Sequence, residues 1–128
     1  TDHNIPVRRE YIHQCPKDLH QSKKLMNKLF GIGLEFDAVM TSDDSLAVGA
    51  VKYASEKKIR IPDELAVIGY NNSLLSYCTN PEISSIDTKV EQLCTTTVET
   101  LMRVFDGGSV PAKTVIAAEF IQKQTTNF

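Results

Sequence analysis

What is scarce in this sequence narrows its chemistry first. No apolar run approaches the roughly 20 residues needed to cross a bilayer, so no membrane partner is expected. Basic residues hold no excess: 14 Lys and Arg against 16 Asp and Glu leave a formal net charge of -2, which gives this segment no electrostatic footprint for nucleic acid. The three cysteines, Cys15, Cys78 and Cys94, are odd in number and lack metal-ligand spacing. They read as reduced cytosolic thiols, not as a disulfide framework. His3, His13 and His20 have no companion cysteine or carboxylate at a metal-binding interval, and no metal or cofactor is expected. No serine lies in a Gly-x-Ser-x-Gly elbow, and Gly31-Ile-Gly ends a helical pattern instead of opening one, which removes the hydrolase and dinucleotide readings. An enzyme is therefore not expected, although fold alone excludes no activity. The opening Thr1-Asp-His-Asn lacks an initiator Met, a charged n-region and an apolar h-region. It predicts no signal peptide, and the chain reads as either processed or a fragment. Internal repeats and low-complexity stretches are absent as well.

The 128 residues, 41% hydrophobic and 23% charged, suit one soluble globular domain with a real core. Val7 to His13 alternates loosely and predicts a short strand. After Pro16, the residues Leu19, Leu25, Met26, Leu29 and Phe30 form an apolar stripe at helical spacing that Gly31 and Gly33 terminate. Phe36 to Thr41 predicts a strand covered on both faces. Ser42 or Asp43 then caps a helix carrying Leu46, Ala47, Ala50, Val51 and Ala54 on one side, with Lys57 and Lys58 complementing the dipole at its end. Arg60-Ile-Pro-Asp-Glu leads into a strand from Leu65 to Gly69, and Ile83 to Ile86 is another extended run. Val90 to Phe105 marks a long amphipathic helix closed by Gly107-Gly108. Thr114 to Ala118 and Phe120 to Lys123 read as extended pieces. Alternating strands and helices predict an α/β fold.

Phe36-Asp-Ala-Val-Met-Thr-Ser-Asp-Asp-Ser and Leu65-Ala-Val-Ile-Gly-Tyr-Asn-Asn each run from strand to polar turn. Open α/β sheets bind ligands at the carboxyl ends of their strands, where turns project free polar groups. The pattern points to recognition of a small polar molecule, without covalent chemistry.

Several of these segments, in register, resemble one family. Phe36-Asp-Ala-Val, Ser42-Asp-Asp-Ser-Leu-Ala-Val-Gly-Ala, Ile61-Pro-Asp-Glu-Leu-Ala-Val-Ile-Gly-Tyr-Asn-Asn, Asn80-Pro-Glu-Ile-Ser-Ser-Ile and the closing Lys123-Gln-Thr-Thr resemble the lactose/galactose repressor family of bacterial transcription regulators. Ser84-Ser-Ile-Asp-Thr-Lys-Val-Glu-Gln-Leu is similar to the maltose-operon repressors. The resemblance implies a periplasmic-binding-protein-like lobe, an open three-layer α/β/α with a parallel sheet. It also implies a cytoplasmic repressor that dimerises, senses a sugar such as maltose, and binds operator DNA through a headpiece not in this chain. Residues 1–128 would be the C-terminal lobe of the effector domain. A secreted sugar-binding receptor of an uptake system shares the fold and is the alternative. Within the family the chain crosses between lobes near Asp87 and Thr88, so the 90–105 helix would pack in an N-terminal lobe absent here. Left alone, its apolar stripe is expected to pair with another copy or to fold back onto its own lobe. With half a cleft, the chain alone is expected to bind effector only weakly.

The same resemblance assigns candidate residues. Asp43 stands where the family usually has an effector-binding asparagine, and serves either as a helix cap alone or as a cap that also contacts ligand. Asn71 stands where an aspartate is common; a ligand role is favoured over a plain turn, whereas Asn72 reads as supporting the turn. Thr88 either faces the effector or merely links. Lys17 and Asp18 read as a solvated first helical turn. Val48, Val51, Lys52, Leu74, Leu75 and Tyr77 are the candidate dimer interface, with Val48 the more diagnostic valine because it lies off the stripe; covering a core would also explain the valines.

Overall fold

The stripe between Leu19 and Phe30 becomes helix α1, Leu19–Gly31, in a computed structural model that describes residues 6–127. The readings on Thr1 to Asn4, His3 included, lie outside the described residues. Asp18 caps α1 by accepting from the Gln21 N–H at 2.9 Å. Gly33, at φ +73, lets the Leu34 N–H return to the Leu29 carbonyl, which closes the helix end. There follow β1 (Ala38–Met40), α2 (Asp44–Lys57), β2 (Ala66–Tyr70), β3 (Ser84–Asp87), α3 (Val90–Phe105) and β4 (Glu119–Ile121). Short 3₁₀ turns occupy Arg9–Tyr11, Leu74–Tyr77 and Gln124–Thr126.

The sheet order is β1-β2-β3-β4. β1 and β3 both run parallel to β2, in registers that place Val39 beside Val67 and Gly69 beside Ser85. β4 returns antiparallel to β3, pairing Ser85 with Ile121, so the sheet is mixed and not wholly parallel. The parallel pairing brings the carboxyl ends of β1, β2 and β3 to one side, as the two strand-to-turn segments predict.

α2 lies on the sheet through Ala47, Ala50 and Ala54, none of which retains any exposure, together with Val51. Small side chains allow close approach, and Leu65, Val67 and Ile83 fill the space from the sheet side. Full burial of such a Leu, Val or Ile stabilises the fold by about 1.5–3 kcal/mol each. α1 lies against α2. Ser22 Oγ donates to the Leu46 carbonyl at 2.6 Å, and Phe30 stacks on Tyr53 at 5.3 Å between centroids.

Several expectations need correction. Val7 to His13 forms no strand: these residues are exposed, curl through the turn at Arg9–Tyr11, and find no ladder partner. Alternation cannot make a strand without a neighbour to bond. Tyr11 instead ties this segment down by donating its hydroxyl to the Glu35 carbonyl. β1 is not covered on both faces, since Ala38 and Met40 are exposed at the sheet edge. Thr114 to Ala118 lies outside any strand, and the final extended piece is shorter than Phe120 to Lys123 suggested. Of the two outcomes expected for α3, pairing with another copy or folding back onto its own lobe, the second does not occur. No residue of α3 is buried, and Val98, Leu101 and Phe105 are at least half exposed.

The α1–α2 contact closes over Gly49. A Cβ there would sit 2.5 Å from the Leu19 carbonyl oxygen and 2.6 Å from Ser22 Cβ, and the first of these neighbours is backbone. Gly49→Ala is therefore expected to destabilise the fold by about 1–3 kcal/mol through overpacking, read as a lower urea midpoint at constant slope. An unchanged midpoint would mean that α1 is free to move off α2.

Candidate functional site

Two consecutive aspartates begin α2, and the fold uses them differently. Asp43 is the cap, in extended backbone. Its Oδ1 accepts from the Ser45 N–H at 2.9 Å and from Ser45 Oγ at 2.5 Å. Its Oδ2 accepts from Asn71 Nδ2 at 3.0 Å and from Lys17 Nζ at 2.6 Å. Asp43 is thus a cap joined directly to the turn that follows β2. Burial on its own would raise the Asp43 pKa; donation from Lys17 and Ser45 outweighs it and holds the carboxyl below the usual carboxylate range.

Asp44, 1% exposed, is the residue that sequence reasoning missed. Its Oδ2 accepts from Ser73 N–H at 2.6 Å and Ser73 Oγ at 2.8 Å, and its Oδ1 from Ser85 Oγ at 2.6 Å. A Cβ on Gly69 would lie 2.1 Å from Oδ1, so the carboxylate occupies the place a β2 side chain would take. Asp44 therefore fastens the first turn of α2 to the ends of β2 and β3. A signal was available, because a glycine inside an apolar strand marks close approach of another group.

Beyond β2, Asn71 and Asn72 adopt φ of 93° and 47°. Asparagine tolerates that left-handed region better than most residues, and here it allows the chain to reverse at the sheet's end. The Asn71 N–H still donates to the Ile86 carbonyl, while the Asn72 N–H turns to Ser85 Oγ at 3.0 Å. An open cavity of about 500 Å³ is lined here by Asn71, Asn72, Asp87, Lys89, Val90, Glu91 and Gln92. Asp87 accepts from the Lys89 N–H at 2.8 Å, the main reason its carboxyl lies below its ordinary value. The Lys89 ammonium bonds Glu119 and Asp87, and both push its pKa up. A second cavity, of about 800 Å³, opens where Thr41 and Ser42 face Tyr11 and Pro16.

Asp43 and Asn71 are brought together. Thr88 is half-buried directly after β3, and among the described residues its hydroxyl bonds neither of them. Lys17 has an exposed side chain, yet its ammonium pairs with Asp43, so that first turn is more than solvated surface. Val48 and Val51 lie in the core of the chain, 7% and 4% exposed, because α2 is covered both by α1 and by the turn at Leu74–Tyr77. Periodicity within α2 could not show that second cover. Lys52, Leu74, Leu75 and Tyr77 are exposed, Leu74 to 78%. All three cysteines are free thiols, and burial, then Asp18, raises the Cys15 pKa. Among the described residues no His, Cys, Asp and Glu cluster could hold a metal, and no helix is long and apolar enough to cross a membrane.

Replacing Asp44 by Asn puts an amide among three donors. The expected cost is about 2–3 kcal/mol in denaturant unfolding, and adding Ser85→Ala to that background should cost much less than in the parent. Asp43 generates a pH prediction. Its folded pKa lies below the unfolded value of 3.8, so its contribution is complete above that value and lost as pH falls through the folded one. The stability gap between the parent and Asp43→Asn should be constant near neutrality and shrink as pH drops below about 4. A gap independent of pH would remove the ion pair from the account.

Comparison with known proteins agrees with this geometry. A family model described as a periplasmic binding protein-like domain matches residues 1–126. An HTH-type transcriptional regulator of Lachnoclostridium phytofermentans is 45% identical over 126 residues, covering 98% of this chain and 38% of that protein. Among solved structures, a LacI-type transcription regulator from Bifidobacterium animalis superposes with a TM-score of 0.88 at 20% identity, over 99% of this chain and 46% of that one. The transcriptional regulator CelR–cellobiose complex does so at 0.85 and 17% identity, over 97% of this chain and 38% of that one. At such identities the superpositions show the fold alone, and it is the periplasmic-binding-protein-like α/β fold that the sequence motifs imply. The chain spans less than half the length of each of these proteins. It belongs to the periplasmic binding protein-like domain family.

Proposed function

We infer that this chain is the effector-sensing and dimerisation part of a sugar-responsive bacterial transcriptional repressor. The longer protein would act in the cytoplasm and read operator DNA through a headpiece outside these residues. The observation that carries the reading is the Asp43–Asn71 bond at the strand carboxyl ends. Asn71 uses its amide on Asp43 and keeps its carbonyl oxygen for a ligand. Lys17 adds an ammonium beside the same carboxylate. Acceptors and a donor side by side suit sugar hydroxyls, which each donate and accept. Thr88, directly after β3, would face the same ligand. That one fold neighbour is a complex with cellobiose supports a sugar as the ligand class. Maltose is the specific candidate, from the Ser84 to Leu93 segment.

The apolar face of α3 would be covered by a lobe contributed by the rest of the protein. Two copies would meet through Lys52, Leu74, Leu75 and Tyr77, with Val48 and Val51 supporting that surface from beneath. Effector binding then alters operator affinity only if its contacts differ between two arrangements of the dimer.

Calorimetric titration of the full-length protein with maltose and a panel of other sugars tests the reading. Maltose should bind, and Asn71→Ala should weaken it about 10–100-fold, as expected for loss of one or two ligand hydrogen bonds. Heat with a different sugar would replace maltose but keep the class. No heat with any sugar would remove sugar sensing altogether.

A further inference from the structure

Lys123 lies two residues past the end of β4, just before the closing turn. Its backbone N–H donates to Ser84 Oγ at 2.7 Å, which seats the residue on β3. From there the ammonium donates to Asn72 Oδ1 at 2.7 Å, Ser76 Oγ at 2.8 Å and the Ile83 carbonyl at 3.1 Å, using all three of its protons. It also stands 3.8 Å from the centroid of the Tyr77 ring, within cation–π range. Two of these partners, Asn72 and the Ser76–Tyr77 pair, belong to different turns. Asn72 is half of the left-handed turn that delivers Asn71 to Asp43. Ser76, itself buried, and Tyr77 belong to the turn Leu74–Tyr77, whose other residues are exposed.

We propose that Lys123 is a positioning residue that locks the Asn71–Asn72 turn and the Leu74–Tyr77 surface into one unit, so that what Asn71 contacts is felt where Tyr77 is exposed. Two consecutive non-glycine residues at positive φ persist only where their surroundings over-determine them. Here the Asn72 backbone is held through Ser85 and its side chain through Lys123. Asp44 bonds Ser73 directly and reaches the Asn72 N–H through Ser85, so it holds the same stretch from below. Among the described residues Lys123 is the single cation that reaches both surfaces. A lysine suits the task because a compact ammonium with three protons can satisfy three acceptors in different directions while its face meets an aromatic ring.

The effector half of this inference rests on the sugar-sensing reading; the mechanical half does not. The test therefore uses hydrogen–deuterium exchange of the full-length protein without ligand, in the parent, Lys123→Met, Lys123→Arg and Tyr77→Leu. Lys123→Met should speed amide exchange across Asn71 to Cys78 at least about tenfold and leave α1 and α2 as protected as in the parent. Lys123→Arg should restore part of the protection, since it keeps the charge and the ring contact. Acceleration confined to Gln122 to Thr126 would overturn the proposal, by showing that the lysine only fastens the chain's end. If Lys123→Met does not fold, Tyr77→Leu decides. Faster exchange at Asn72, which lies outside the turn that carries the substitution, supports the link, and an effect limited to Leu74 to Cys78 refutes it. Maltose calorimetry on the same variants separates the two readings. Parent binding that Lys123→Met weakens, with Asn71 itself intact, extends the link to the effector. Parent binding that Lys123→Met leaves unchanged cuts the link at Asn71. No parent binding counts against maltose and leaves the exchange result standing.

Discussion

A carboxylate buried among donors holds the ligand end of this lobe in one arrangement. Removing Asp44 from water is costly, and the cost is offset only because Ser73 and Ser85 supply three hydrogen bonds and the first turn of α2 supplies its dipole. Each partner comes from a different element. If β2 slipped by one residue, Gly69 would be replaced beside the carboxylate by a side chain, for which there is no space. The pair Asp43-Asp44 thus divides its labour: one residue faces inward and fixes the frame, and the other carries the cap, the Asn71 bond and the Lys17 pair.

The end of the chain serves the same frame from the opposite direction. β4 runs antiparallel and returns the segment after Ile121 to the middle of the sheet. There Thr125, fully buried, accepts from the Ser84 N–H and donates to the Val67 carbonyl. Ser84 Oγ in turn meets Thr126 Oγ1 and the Lys123 N–H. Short hydroxyl side chains here do the work that a wider strand would do with backbone. They leave none of the buried side-chain polar atoms among the described residues without a partner.

Local signals made much of this fold legible in sequence, and non-local ones made the rest opaque. Helical spacing located α1 and α3, and the latter to the residue, because amphipathic periodicity needs no partner to be visible. The polar turns after β1 and β2 marked the ligand end of the sheet, and the family resemblance singled out Asp43 and Asn71 there, which do lie together. Asp44 was hidden because a second aspartate beside a cap looks like a solvated first turn; only the glycine across from it, 25 positions along, betrays its burial. The burial of Val48 within the chain was hidden for a similar reason: a single helix reveals its most apolar face, not how many neighbours surround it. Val7 to His13 had the right alternation and no strand to pair with. Lys123 belonged to a recognisable closing motif, yet its bond to Asn72 spans 51 positions and leaves no periodic trace.

α3 joins the lobe through Lys89, a left-handed residue whose ammonium bridges Asp87 on β3 and Glu119 on β4. The helix is 16 residues long, or about 24 Å at 1.5 Å per residue. A rod of that length, pivoting at one end, is a lever. A tilt of about 10° at Lys89, well under what one backbone dihedral can supply, would carry the Phe105 end through about 4 Å. Whatever rides on the far end of α3 would then move much farther than the carboxylates clamped at its root.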